Sequence, residues 1–426
     1  MILQATPPPL RGDDTAWMLM STALVLLMTP ALGFFYGGLV RRKNVLNTMM
    51  MSLVSLGAVG LAWAFLGYSL AFAPGGAWIG GVGHGLLRGI GLETGSWGAF
   101  PHLLFFAYQG AFAIITAALV SGAVVERMRF GAYMLFVVLW SLLVYAPVAH
   151  WVWGGGWLAK LGALDFAGGT VVHVNAGAAA LVCARVVGSR KDYGRQAFLP
   201  HNVPYVVLGA ALLWFGWFGF NGGSALSAGP GAALAFVNTL LAPAATMLVW
   251  MLLELWRTGR PTAVGGATAA VVGLVAITPA AGFIAPVSAI ALGALAAVPS
   301  YLIVLWRPRT SLDDSLDVFA AHGTGGVVGA VLTGVFAQQA WNAPVDGLIG
   351  GGWRLAGIQG TAVAVVFFYS VTVTFLLLKV IDWRIGLRRS AKEEGIGMDL
   401  VEHGEEAYNR GEGAVLVLER SATSKE

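Results

Sequence analysis

Long apolar runs, broken at intervals by short polar or Gly/Pro-rich stretches, fill most of this chain. A helix that crosses a bilayer needs about 20 mostly apolar residues, with a range of about 17–25. Runs of that kind fall near residues 16–38, 47–73, 100–124, 131–149, 168–188, 203–221, 231–256, 263–279, 281–305, 321–338 and 356–381. They predict an all-α polytopic membrane protein with eleven transmembrane helices. The break between the runs at 263–279 and 281–305 is only Thr278-Pro279-Ala280-Ala281-Gly282, which reads either as a loop or as a kink. The runs also echo one another. Gly33-Phe34-Phe35-Tyr36-Gly37-Gly38 ends the first, and Gly216-Trp217-Phe218-Gly219-Phe220-Asn221-Gly222-Gly223 ends the sixth. Five spans in each half would place the halves in opposite orientations. The pattern predicts a 5+5 inverted repeat plus a final helix, an arrangement that puts a substrate site near the midplane between halves. Aromatic-glycine runs are also common in membrane helices, which is the plainer reading of that echo.

Composition agrees with the pattern. Of 426 residues, 57% are hydrophobic and 11% charged, against about 25% charged in soluble domains. The 18 charged residues from Lys379 onward leave only 28 for the first 378 positions, too few to solvate a soluble surface. Disorder, a disulfide scaffold and a nucleic-acid binder are excluded. Cys183 sits in an apolar helical context, and the first residues show no basic and apolar signal-peptide pattern. The division expected is a transmembrane domain over 1–381 and a charged tail over 382–426. With the N-terminus outside, thirteen basic residues, from Arg41, Arg42 and Lys43 to Arg307 and Arg309, fall on the inner side. Only Arg11, Arg88, Lys160 and Arg354 fall outside. That bias predicts an outside N-terminus and a cytoplasmic tail.

Ionisable residues inside a bilayer cost about 2.5–3.5 kcal/mol on insertion scales, so each requires a reason. His173 lies in Gly168-Gly169-Thr170-Val171-Val172-His173-Val174-Asn175-Ala176-Gly177, and His322 in Ala320-Ala321-His322-Gly323-Thr324-Gly325-Gly326. Each precedes a glycine by four residues, and each ends one half of the repeat. Matched placement points to a pair that meets between the halves, with small neighbours permitting close approach. The bland alternative is a buried imidazole bonded to a carbonyl. Two histidines fall short of the ligands a metal site uses, and His84, His102, His150, His201 and His403 lie in loops, span ends or the tail. Asp165 stands at the entrance of the fifth span, where it caps the helix or holds a cation. Trp151, Trp153 and Trp157 crowd the same side, as do Phe112, Trp217, Phe220 and Ser224. An interfacial belt explains many such aromatics. A cation over an aromatic face gains about 0.5–2 kcal/mol, which makes a vestibule the sharper reading.

Together these residues resemble the ammonium transporter family (Amt/Mep, distantly the Rhesus proteins). The most specific stretch is Asp165-Phe166-Ala167-Gly168-Gly169-Thr170-Val171-Val172-His173, supported by Gly216 to Ser224, Thr278-Pro279, Asp317-Val318-Phe319, His322-Gly323 and, in the tail, Met398-Asp399-Leu400 through Tyr408. The resemblance implies a plasma-membrane homotrimer with a pore in each subunit and no cofactor. It implies an outer ammonium site of Trp153, Phe112 and Ser224, a gate of Phe112 and Phe220, and a pore pair of His173 and His322. Asp165 would support the outer site structurally. The substrate implied is ammonium or ammonia, with methylammonium as analogue, and a PII-type signal protein is an implied partner of the tail. Tyr108 departs from the pattern: it stands where the family often has Phe. An ammonium sensor is the alternative reading, although sensors carry a larger output domain than a tail of this length. An intramembrane enzyme would need a nucleophile–base pair or metal ligands, and the sequence supplies neither.

Overall fold

The computed structural model describes residues 7–408. The first six residues, on which the signal-peptide expectation falls, and residues 409–426 of the tail lie outside the described residues. Among the described residues the chain is helical, with no β-strand. Eleven apolar helices follow in order: α1 (Gly12–Leu39), α2 (Arg42–Phe72), α3 (His102–Ala123), α4 (Phe130–Leu161), α5 (Gly169–Val187), α6 (Val203–Gly223), α7 (Pro230–Thr258), α8 (Ala263–Ile277), α9 (Pro286–Arg309), α10 (Phe319–Phe336) and α11 (Trp353–Ile385). Ten of them are long and apolar enough to cross a membrane. The eleventh, α8, has 15 residues, about 22 Å at 1.5 Å per residue, so it falls short of the expected span. The stretch after Ile277 is a turn rather than a kink, because α8 and α9 are separate helices.

Local chemistry sets several of these boundaries. Proline stands in the first turn of α6, α7 and α9, where its missing N–H costs nothing. Thr262 caps α8 by accepting the Gly265 amide at 2.9 Å. Leu53, Leu61 and Phe65 on α2, Leu248 and Leu252 on α7, and Phe368 and Leu376 on α11 are exposed. They form the apolar belt that a bilayer would cover.

The core is held by close helix crossings. Along α1 and α6, a side-chain carbon at Gly209 would lie 2.3 Å from the Phe35 nitrogen, and one at Gly216 would lie 2.3 Å from Met28 Cγ. Where α5 crosses α10, a carbon at Gly177 would lie 2.3 Å from Gly323 Cα. Only glycine permits that approach.

At the basic end of the bundle, four loops are tied together by buried ion pairs. Glu126 bonds Arg41 and Arg190, at 2.9 and 3.0 Å, and Arg190 also bonds Asp313 at 2.8 Å. Burial pushes the Glu126 carboxyl up, but the charges of Arg190 and Arg41 hold it below its ordinary value. The tail folds back onto this end through α12 (Ala391–Ile396) and α13 (Met398–His403). Met398 N donates to Asn44 Oδ1 at 2.8 Å, Asn47 N to Asp399 Oδ1 at 2.8 Å, and Lys191 N to Glu394 Oε2 at 3.0 Å. The Tyr408 hydroxyl lies 2.9 Å from His201 Nε2.

Candidate functional site

Both α5 and α10 open with a six-residue π-helical turn, Gly169–Val174 and Phe319–Thr324, and each turn carries a histidine. Such turns re-aim side chains and recur at functional sites. Here they turn two imidazoles, 149 residues apart in sequence, toward each other with Nδ1 atoms 3.2 Å apart. One nitrogen must donate and the other accept, so the protons of the pair are coupled. His173 packs against Trp217, ring centroids 5.5 Å apart, and the indole N–H of Trp217 is fixed by Thr278 Oγ1 at 2.9 Å. Its Nε2 is buried and bonds no protein group among the described residues.

The space beside the pair is narrow and almost wholly apolar, lined by Leu32, Ile115, Leu119, Val172, Leu213 and Val271 among others. On one side Phe220 lies 6.0 Å from His173, and Phe112 stacks on Phe220 with centroids 4.1 Å apart and planes at 30°. Beyond them Trp153 stands edge-on to Phe112 at 6.0 Å. Ser224, just past α6, donates from Oγ to the Phe220 carbonyl at 2.8 Å and lies 3.2 Å from the Tyr108 hydroxyl. On the other side, His322 lines a cavity of about 360 Å³ that opens toward the basic end, together with Tyr36, Glu254, Arg307 and Asp317.

Asp165 holds the entrance of α5. Its two oxygens accept the amides of Gly168, Gly169, Thr170 and Val171 at 2.5–3.0 Å, and also the Thr170 hydroxyl. Gly168, at φ +117°, makes the turn that aims those amides at the carboxylate. Trp153 is fixed to the same loop, its indole N–H donating to the Asp165 carbonyl at 2.9 Å. Of the two sequence readings of Asp165, the geometry therefore displays the cap. Of the residues singled out from the sequence, the rings of Trp153, Phe112, Phe220, His173 and His322 neighbour one another in that order, with Ser224 bonded to the Phe220 carbonyl and Asp165 beside Trp153, whereas Trp151 and Trp157 pack instead with Trp78.

A model of the Ammonium Transporter Family matches residues 16–408. The chain belongs to that family. It is 48% identical over 398 residues to an ammonium transporter of Bacillus subtilis, covering 93% of this chain and 98% of that one. It is 46% identical over 396 residues to the ammonium transporter Amt1 of Archaeoglobus fulgidus, covering 93% and 99%. The crystal structure of Saccharomyces cerevisiae Mep2 superposes with a TM-score of 0.87 at 37% identity, covering 95% of this chain and 93% of that one. A structure described as a sensor Amt protein gives 0.86 at 30% identity, covering 92% and 98%. Membership and the ten apolar helices make this a multi-pass membrane protein.

Sequence reasoning passed over Asp314 in this family member. It stands eight residues before His322, as Asp165 stands eight before His173. It also caps its helix, accepting the Phe319 amide at 2.7 Å. Burial and the neighbouring charge of Asp317 push its carboxyl up to about 6. The repeated Asp-to-His spacing was the signal available in the sequence. Among the other histidines, His150 is buried with its two nitrogens 2.9 Å from the Ala71 and Gly76 carbonyls, a structural tie.

Proposed function

We propose that this chain is an ammonium transporter that recruits the ion at Trp153, Phe112 and Ser224, removes a proton, and passes ammonia through the apolar space beside His173 and His322. The observation that carries the reading is the facing imidazole pair, 3.2 Å apart in an otherwise apolar conduit behind two stacked phenyl rings. Aromatic faces attract a cation without a fixed countercharge. The stacked rings then exclude hydrated ions. Two imidazoles offer hydrogen bonds to ammonia but cannot replace the hydration shell of potassium. Asp165 supports the outer site by holding the loop to which Trp153 is bonded.

The protein would sit in the plasma membrane as a homotrimer, N-terminus outside, with eleven crossings once α8 is counted. The tail, over 382–426, would be cytoplasmic and would respond to a PII-type partner. Sensing is the second reading, favoured by the likeness to a sensor Amt protein and by the tail's bonds to the loops at the pore's basic end. Uptake of labelled methylammonium into liposomes, with current measured in parallel, tests transport directly. His173→Asp should admit water and potassium, while leucine at either histidine should keep the pore dry and cut ammonium current steeply. A stable His173→Asp trimer with normal ammonium current and unchanged potassium exclusion would refute the pore assignment.

A further inference from the structure

We infer that Tyr108 is a positioning residue for the outer site, where it orients the Ser224 hydroxyl so that oxygen lone pairs face the incoming cation. The inference rests on Ser224 being a cation contact, as proposed above. Tyr108 is buried, 1% exposed, and Ser224 is half-buried at the vestibule. A cation therefore meets the serine, and the phenol acts through it.

The geometry follows from how α6 ends. The Ser224 amide donates to Asn221 at 3.1 Å, a tightened final turn that frees the Phe220 carbonyl. Helix ends leave such carbonyls to be met by side chains. Two hydroxyls meet this one, Ser224 at 2.8 Å and Tyr108 at 3.0 Å, and the phenol also reaches the Gly219 carbonyl at 3.1 Å. A hydroxyl carries one hydrogen and two lone pairs. The serine hydrogen has two acceptors in reach, the Phe220 carbonyl and the phenol oxygen 3.2 Å away. Both belong to buried residues, Phe220 and Tyr108 each 1% exposed, so two acceptors hold the serine hydrogen toward the protein. The phenol hydrogen is taken by the carbonyls or by Ser224. In each arrangement the serine keeps a lone pair toward the vestibule, which suits an ion with four donors and no acceptor. The α6 C-terminus adds partial negative charge on the same side. Gly223 makes the contact possible, since a side-chain carbon there would lie 2.7 Å from the phenol oxygen.

Tyr108→Phe keeps the ring, which packs on Phe112 with centroids 4.9 Å apart, and removes only the oxygen. In liposomes containing the full-length protein, KM for labelled methylammonium should rise about three- to tenfold, the fold-change of one ordinary hydrogen bond. The maximal rate should stay within about twofold, because only binding is lost. In a Ser224→Ala background the same change should have no further effect. A merely structural tyrosine would lower the thermal midpoint and the amount of active protein while leaving KM alone. Unchanged KM in Tyr108→Phe, with a raised KM in Ser224→Ala, overturns the inference and leaves the outer site standing. Unchanged KM in both overturns the outer site itself. An equal rise from Tyr108→Phe in the Ser224→Ala background overturns action through the serine.

Discussion

Replacing Gly177 by alanine tests whether the imidazole pair depends on the crossing of α5 and α10. The added carbon would lie 2.3 Å from Gly323 Cα and from Gly323 N, whereas ordinary contact begins at 3.4 Å. The obstructing atoms are backbone, so no side chain can swing aside. The helices must separate locally by about 1 Å, and overpacking of this kind costs about 1–3 kcal/mol. The same separation would stretch the 3.2 Å Nδ1–Nδ1 contact to roughly 4 Å, beyond hydrogen-bonding range. Gly57→Ala is the control: a carbon there meets nothing within 4 Å, and alanine raises helix propensity by up to about 1 kcal/mol. The assay is ammonium-evoked current per assembled protein, with the thermal midpoint read on the same preparation. Gly177→Ala should lose most of its current and some stability, and Gly57→Ala should lose neither. Gly326→Ala should be milder, because its closest neighbours, including His173 Cβ, stand at 3.0 Å. Wild-type current and midpoint in Gly177→Ala would refute the reasoning.

Two further outcomes are expected. Replacing Phe112 and Phe220 together by alanine should remove the stacked rings and let potassium current through a folded protein; potassium current equal to wild type would count against the gate. Asp314→Asn should change how stability depends on pH. The folded carboxyl sits at about 6, above its ordinary 3.8, so its stabilising protonation is complete below 3.8 and lost as pH rises through 6. Asparagine can still accept the Phe319 amide and has no charge to bury, so the midpoint of the variant should vary less between pH 4 and 6. Identical slopes for the two proteins would show that Asp314 does not titrate there.

Much of the path was legible because a bilayer leaves few readings of a polar residue. His173, His322 and Asp165 stood out against apolar neighbours, and an ionisable group in that setting needs a partner. Trp153, Phe112, Phe220 and Ser224 were legible through the family resemblance, since aromatic clusters alone admit an interfacial belt. Other features left no trace in hydrophobicity. The π-helical turns at Gly169–Val174 and Phe319–Thr324 do not alter which residues are apolar. The helix α8 ends at Ile277, short of the apolar run that continues to residue 279, because the turn after it is equally apolar. The docking of the tail depends on side-chain bonds such as Asp399 to the Asn47 amide, between residues far apart in the chain.

By itself the sequence determined what the solvent rewards locally. The spacing of apolar runs determined helices suited to lipid, and the clustering of arginines determined one basic end. The Asp-to-His spacing in each half determined two capped helices, each with an imidazole near its start. Whether those imidazoles meet was decided only by the tertiary structure. The 3.2 Å contact depends on two helices approaching until Gly177 touches Gly323, and on π-helical turns that aim both rings into one space. Local propensity is indifferent to that approach, because it is set by packing between segments that are adjacent only after the chain has folded.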